Sequence, residues 1–460
     1  MATEKKQFSV GKFLKSITRE IVVPVVLALI VIQYVVQAFQ IPSGSMEDSL
    51  KTGDFLLGLK FTYGSPIPFT NQKFPGYTIP KPGDVLIFRY PGEPEYPDNN
   101  PNRYTHMFNA LMFGNVYWDH EPAEGQPHIV HYADGPKDYI KRCVAVSGDT
   151  VQVHQGKLAV NGVWQDTIPA KGKWTATFRT GSPRDERGPI VVPSVGDTLF
   201  VDSLSLEQLW WLRSIIVQEN PDSHVEYDIS LWKDGVESNN YEFEDFTMPV
   251  ESERGFALNT LFQRNRLVLQ HVTQGDTVRG KMPFAFYKEY SKVAFLPMVI
   301  PEELQGTFTR KVSYMAFEGT QLQDLEYNVK RLNEVPAEVK DSAATDSSQG
   351  GIAVADSAAN AVAKSHFEIR KRILVDGNPI DRYVIQTPLF FMMGDNRDNS
   401  ADSRYWGFVT LRNVRAKAFV LYFSFENDDQ AFALGNPFTW WRLPFKIRWT
   451  RLGKIIDLID

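Results

Sequence analysis

Tyr139-Ile-Lys-Arg-Cys-Val-Ala-Val-Ser-Gly-Asp149, running on into Thr150-Val-Gln-Val-His154, Gln155-Gly156 and Lys157-Leu-Ala-Val160, decides the fold. Its β-branched residues, interrupted by Gly-containing turns, read as a strand from Tyr139 to Val146 followed by a tight hairpin, with Asn161-Gly162 marking the next turn. The same pattern recurs outward. Gly53–Gly58 and Pro82–Phe88 each read as a turn leading into a strand, the second a buried apolar run. Strand signals resume at His366–Val375, Arg382–Gln386 and Ala416–Phe425, with a turn at Asp376-Gly377-Asn378. The 31 Phe and 18 Tyr, set against 28 Pro and 31 Gly, favour many short strands over long helices. Meanders of this kind close into sandwiches or barrels, so the expected fold is mostly β.

A chain of 460 residues has room for two or three folded units. Residues 92–137, rich in Pro, Asn, Gly and His, read as an extended loop, and 167–332 as a second folded region with a helical patch at Leu206–Val217. Residues 337–364, rich in Ala, Ser, Asp and Gly without periodicity, read as a disordered linker. The expected organisation is a first catalytic piece at 40–166, an insertion at 167–380, a second catalytic piece at 381–426 and a tail at 427–460. A net charge of −6 removes any expectation of a nucleic-acid partner. Cys143 is the only cysteine, so no internal disulfide or cysteine-based zinc site can form.

Lys5, Lys6, Lys12, Lys15 and Arg19 precede an apolar run over Ile21–Phe39, diluted by Gln33 and Gln37. The run approaches the ~20 residues of a membrane-spanning helix, so residues 21–39 are expected to be a transmembrane anchor. The positive flank puts residues 1–20 in the cytoplasm and everything after Gln40 outside. A cleavable leader ending near Val36-Gln37-Ala38 is the rival reading. In the tail, Trp440, Trp441 and Trp449 interleave with Arg442, Lys446, Arg448, Arg451 and Lys454. That mixture suits a membrane interface or a basic segment packed on the catalytic body.

Three motifs carry chemistry. Ile41-Pro42-Ser43-Gly44-Ser45-Met46 follows the anchor directly and exposes a hydroxyl on a tight turn, flanked by apolar Phe39, Ile41, Met46 and Leu50. A reacting hydroxyl needs a base. Of the eight histidines, His120, His128 and His131 lie in the loop without tell-tale spacing, so neither a His triad nor a His metal site is favoured. Alternation along the strand puts Tyr139, Lys141 and Cys143 on one face and Ile140, Arg142 and Val144 on the other. Only one of the adjacent cations can then enter a cleft. Arginine does not deprotonate in practice, so Lys141 is the only workable base of the two, provided burial lowers it from ~10.4 to about 7–8. A solvated strand edge is the plainer role of such a pair.

Met393-Gly-Asp-Asn-Arg-Asp-Asn-Ser-Ala-Asp-Ser-Arg-Tyr-Trp-Gly407 is the densest motif, with Asp395, Arg397, Asp398, Asp402 and Arg404 beside Asn396 and Asn399. Arginine–carboxylate pairs can staple its turns. A calcium loop is opposed by the two arginines among the would-be ligands.

Phe39–Met46, Lys81-Pro-Gly-Asp84, Tyr139–Asp149 and Met393–Gly407 together resemble, in order, the motifs of the bacterial type I signal peptidases (leader peptidases). They cover about a quarter of the chain. A departure falls at Glu47-Asp48, where better-known members carry an apolar residue and proline. The resemblance implies a signal-peptidase-like β-sheet catalytic domain with a large inserted α+β or β region and one N-terminal transmembrane helix. It implies Ser45 as nucleophile, Lys141 as base, Ser43 and the Ser45 N–H as oxyanion hole, and Ser400 as the residue that hydrogen-bonds and orients the lysine. Asp402 and Arg404 map to a structural ion pair, Asp395 and Arg397 to supporting positions, and Tyr139 and Ile140 to the substrate cleft. Phe39, Ile41, Pro42, Met46 and Leu50 are further candidates for pocket walls. The implied activity is serine endopeptidase removal of signal peptides from exported preproteins after Ala-x-Ala. It needs no cofactor or metal, on the outer face of a bacterial inner membrane and near the secretion translocon.

Overall fold

The computed structural model describes residues 18–41, 43–67, 70, 72–91, 138–165, 186–249, 277–284, 287–288, 296–299, 313–316, 320–334, 365–426 and 443–458. The expected loop at 92–137, the linker at 337–364, Pro42, Trp440 and Trp441 fall outside them. The chain divides into two compact units. The first comprises Met1–Leu199, Trp211–Val225 and Arg382–Asp460, and the second Phe200–Trp210 and Glu226–Asp381.

The first unit is built on a seven-stranded sheet. Its strands are β1 (Val36–Gln40), β2 (Asp54–Leu59), β3 (Val85–Arg89), β4 (Asp138–Val146), β5 (Leu389–Met393), β6 (Val409–Thr410) and β7 (Val414–Ser424). Their order is β1-β2-β7-β3-β4-β5-β6, with every pairing antiparallel. β7 sits between β2 and β3, and β5 beside β4, so the two ends of the chain build one sheet around the insertion. One core gathers Ile41, Met46, Leu50, Leu56, Val85, Ile87, Ala416, Ala418 and Leu421. Gly58 is required where β2 crosses this core, because a Cβ there would come within 2.9 Å of Ala416, Ile87 and Phe39 side-chain atoms.

The hairpin forms as its sequence predicts. Thr150–His154 pairs with Lys157–Val160, which pairs in turn with Val163–Trp164. Both turns use consecutive left-handed residues, Gln155-Gly156 (φ 46 and 75) and Asn161-Gly162 (φ 52 and 76). Arg187–Val191 also joins this small sheet, so the first unit extends beyond residue 167, where the insertion was expected to begin. The second unit carries a sheet ordered Val236–Glu237, Val225–Lys233, Phe367–Val375 and Asn378–Ile380, and a helix at Thr320–Glu334. Tyr241, Phe243, Tyr287 and Phe367 meet edge to face in it.

The N-terminal apolar run differs from expectation. A π-helical turn at Thr18–Val22 leads into α1 (Val23–Tyr34), and Val36–Gln40 is strand β1, not the end of a helix. Among the described residues no helix is long and apolar enough to cross a membrane. The change of structure has a visible cause. Residues 36–40 spend their backbone groups on β2, and the carbonyls that end α1 are taken by the body of the unit. Lys60 Nζ donates to Ile32 O at 3.2 Å, Ser65 Oγ to Tyr34 O at 2.6 Å and Lys60 N to Val35 O at 2.9 Å. Gln33, an apparent blemish in the run, is buried and donates to Pro66 O at 3.0 Å. The other faces of α1 are exposed and apolar, with Val25, Leu29 and Ile32 all in the open.

The described part of the tail, residues 443–458, packs on the first unit. Ile456 enters the sheet core, and Lys454 O and Gly453 N bracket Leu421 of β7. Arg451 binds both oxygens of the buried Asp54 carboxylate, at 3.2 and 2.6 Å, and Ser49 O at 2.8 Å. Trp449 remains exposed.

Candidate active site

Ser45 lies in a single 3-10 turn, Gly44–Met46, between β1 and β2. Met46 anchors that turn in the core, and Met46 O accepts from Leu50 N at 2.8 Å. The turn continues through Asp48, whose φ of 90 is left-handed. Proline, with φ fixed near −65, cannot take that conformation, so Glu47-Asp48 forms a turn that an apolar residue and proline would not.

β4 carries Lys141 to this turn. Its Nζ lies 2.5 Å from Ser45 Oγ, although the two residues are far apart in sequence. Only 5% of Lys141 and 8% of Ser45 is exposed. Burial lowers the Lys141 pKa from 10.5 to about 8, and Arg404 pushes the same way, against the attraction of Asp402 and Asp395. Tyr139, one strand position pair earlier, sets its ring 5.7 Å from the ammonium.

Arg142 is also buried, so the pair is not a solvated strand edge. It takes the opposite side of β4 and binds Asp395 through two contacts, Nε to Oδ1 at 2.8 Å and Nη2 to Oδ2 at 2.6 Å. It also donates to Gly83 O and to Ser49 Oγ, while Ser49 donates to Asp395 at 2.6 Å. The partner of Asp395 is therefore Arg142, a residue of the lysine motif. Arg397 donates to Gly394 O at 3.0 Å, and its burial, together with nearby Arg404, lowers its pKa to about 10.

Asp402 and Arg404 form the expected pair, at 2.8 and 2.9 Å and fully buried. Burial opposes ionisation of Asp402, but the Arg404 charge and hydrogen bonds, with that from Gly394 N, hold its pKa below the ordinary value. Asp395 and Asp402, two of the three carboxylates of this stretch, are thus engaged by arginines. Gly394 marks a close approach. A Cβ there would lie 2.5 Å from Ser45 O and collide with the Ser400 side chain. Asn396 completes the clamp on the serine turn, its backbone N donating to Ser45 O at 3.1 Å and its side chain to Gly44 O at 3.0 Å. Ser49 was not singled out by sequence, and Asn396 and Arg142 were named there without these roles. Their partners are distant along the chain, and only the adjacency of Arg142 to Lys141 hinted at one of them.

Ser43 Oγ lies 3.5 Å from Ser45 Oγ. The Ser400 hydroxyl is buried and makes no hydrogen bond of good geometry, so the expected bond to Lys141 is not formed. It does lie close enough to the Asp402 carboxylate to help keep it ionised. Lys141 is held by Ser45 instead. Of the expected pocket walls, Ile41, Met46 and Leu50 belong to the closed core. Phe39, Tyr139 and Ile140 are half-buried and can face a ligand. His154, the histidine nearest these motifs in sequence, is exposed beside Glu186 at 3.0 Å; His120, His128 and His131 lie outside the described residues.

A family model described as signal peptidase, peptidase S26, matches residues 14–186 and 332–423, more than half of the chain. The chain belongs to that family. Signal peptidase I of Pseudomonas aeruginosa is 34% identical over 141 residues, covering 30% of this chain and 35% of that protein. The signal peptidase I of Aquifex aeolicus is 47% identical over 58 residues, 13% of this chain and 23% of that protein. That of Buchnera aphidicola (subsp. Schizaphis graminum) is 20% identical over 431 residues, 93% of this chain and 78% of that protein. The matched stretch thus spans about a third of the Pseudomonas relative's length and less of the Aquifex one.

Proposed function

We propose that this chain is a membrane-bound serine endopeptidase that removes N-terminal signal peptides from exported preproteins, with Ser45 as nucleophile and Lys141 as its base. The observation that carries the reading is the 2.5 Å contact between Ser45 Oγ and the buried Nζ of Lys141, a lysine whose pKa falls to about 8. A group with that pKa is neutral in about a tenth of molecules at pH 7, against a vanishing fraction for an ordinary lysine, and the neutral form can take a hydroxyl proton.

Neutral Lys141 accepts the Ser45 proton as Oγ bonds to the scissile carbonyl carbon. The tetrahedral oxyanion is met by the Ser45 N–H and the Ser43 hydroxyl. Lys141 then passes its proton to the departing amine as the C–N bond breaks, leaving an acyl ester on Ser45. Water, giving a proton to Lys141, attacks that ester. The C–O bond to Ser45 breaks and the hydroxyl is restored. Ser400, buried beside Gly394 and the Asp402 carboxylate, is assigned the role of orienting the lysine, although the bond between them is not formed in this structure. Phe39, Tyr139 and Ile140 line shallow pockets for small residues of the Ala-x-Ala type. The exposed apolar surface of α1 favours an anchor in the bacterial inner membrane, with the N-terminus cytoplasmic and the catalytic sheet outside, close to the translocon.

Cleavage of a purified preprotein bearing Ala-x-Ala tests this reading. Ser45→Ala, Lys141→Met and Lys141→Arg should each lower the rate by at least ~10²-fold, the last because arginine keeps the charge but not the deprotonation. Wild-type rates in any of the three would overturn the assignment of the pair.

A further inference from the structure

Two side chains from outside the chemical motifs hold the backbone of the densest one. Arg187 is buried at the start of the strand Arg187–Val191, where pairing with Val153 fixes its backbone in the small sheet. Its Nε donates to Arg404 O at 2.8 Å, and its Nη2 donates to the same carbonyl. Trp211 Nε1 donates to the next carbonyl, Tyr405 O, at 3.3 Å. The Trp211 ring is buried too, with its centre 5.6 Å from the Arg187 guanidinium carbon. It closes on Gly407, where a Cβ would lie 2.7 Å from ring carbons. Arg187, Trp211 and the motif all belong to the first unit.

These contacts fix the place of Arg404. Ser403–Trp406 is a single helical turn, too short to hold itself, and its carbonyls need partners from elsewhere. Arg187 and Trp211 supply two of them. The Arg404 guanidinium meanwhile binds Asp402 at 2.8 and 2.9 Å and Arg397 O at 2.9 Å. Asp402 accepts from Gly394 N at 3.0 Å, and Gly394 is the residue pressed against Ser45 O. Lys141 senses the same pair. The Arg404 charge opposes its ammonium, whereas Asp402 and Asp395 favour it.

We propose that Arg187, backed by Trp211, is a positioning residue for the cleavage: it fixes Arg404, so that the Asp402–Arg404 pair keeps the placement Lys141 needs to act as a base. The inference rests on the reading of Ser45 and Lys141 as the reacting pair.

The full chain in neutral detergent, with a purified preprotein as substrate, tests it. Arg187→Gln should lower kcat roughly tenfold and leave KM within about twofold, because Arg187 touches no substrate. The pH midpoint of kcat/KM should rise by about half a pH unit, since a displaced Arg404 opposes the ammonium less and leaves Asp402 freer to favour it. Arg187→Lys keeps the charge and one donor and should recover most of the loss. Trp211→Phe keeps a ring but loses the N–H to Tyr405 O, and should move the midpoint the same way by less. It carries the test if Arg187→Gln does not fold. A further readout needs no cleavage. Wild-type stability in urea should rise between about pH 8 and 10.5, and in Arg187→Gln that rise should begin at higher pH and be smaller. Wild-type kcat in Arg187→Gln would overturn the inference. So would a fall in kcat with the pH midpoint and the onset of the stability rise both unmoved, because Arg187 would then only hold the fold. Cleavage by Ser45→Ala would instead show the reacting pair to be misassigned, and the urea measurement would still decide whether Arg187 places Arg404 against Lys141.

Discussion

Lys141→Met should leave a protein that cannot cleave yet is harder to unfold. Lowering a lysine from 10.5 to about 8 means that the folded state disfavours the ammonium by about 3 kcal/mol, at ~1.4 kcal/mol per pH unit. The unfolded chain holds this proton up to about 10.5, whereas the folded chain releases it near 8. Between those values the unfolded state binds more protons, so wild-type stability rises with pH across that window and carries the full penalty below it. Methionine bears no charge and never incurs the penalty. Subtracting ~1 kcal/mol for the lost hydrogen bond to Ser45, the variant should gain about 2 kcal/mol at pH 7. The advantage should shrink as pH approaches 10.5. Urea unfolding of the full chain at pH 7, 8.5 and 10 measures it. Catalysis reads the same proton. About a tenth of Lys141 is neutral at pH 7 and about nine-tenths at pH 9, so wild-type kcat/KM should climb roughly tenfold between them. A variant no more stable than wild type at pH 7, or a flat pH–rate profile, would refute a lysine lowered by burial.

Asp395→Asn leaves the buried Arg142 guanidinium without its carboxylate and should cost about 3–5 kcal/mol, seen as a lowered thermal midpoint. It also removes a negative charge that favours the Lys141 ammonium, so the midpoint of the pH–rate profile should move to lower pH. Arg451→Met removes the guanidinium that ties Asp54 to Ser49 O and should lower kcat more than it raises KM, because it loosens the segment following Ser45 without touching substrate. Asp48→Gly relieves a left-handed φ and should stabilise by ~1 kcal/mol in thermal unfolding, with cleavage retained.

The sheet was legible where local chemistry sets structure. β4, the hairpin beyond it and both of its turns follow from β-branched runs and from Gln-Gly and Asn-Gly pairs that accept positive φ. Tertiary competition was not legible. Val36–Gln40 continues an apolar run that reads as helix, and pairs with β2 only because a partner strand with matching register lies nearby. The same limit applies in the site. Ser45, Lys141 and the Asp402–Arg404 pair sit in recognisable motifs, but the choice of Arg142 by Asp395 depends on β4 and β5 being neighbours. Met46 and Leu50 look like pocket walls because they flank the serine, yet the turn drives them into the core and leaves Phe39, Tyr139 and Ile140 at the surface.

The arginines of the site explain how a lysine can lose its charge among carboxylates. Asp395 and Asp402 are the negative groups that favour the Lys141 ammonium, Asp402 the more strongly. Arg142 holds Asp395 through two contacts, and Arg404 holds Asp402 likewise. Burial is the largest influence on Lys141 and, with Arg404 acting the same way, outweighs both carboxylates. The arrangement places the strongest demand on Arg142, the neighbour of the base on β4. Arg142→Gln would release Asp395 toward Lys141, raise the lysine pKa and carry the pH–rate midpoint upward, the reverse of Asp395→Asn. Opposite displacements in the two variants would tie the reactivity of Lys141 to paired charges. Displacements of the same sign would mean that the variants act only by loosening the fold.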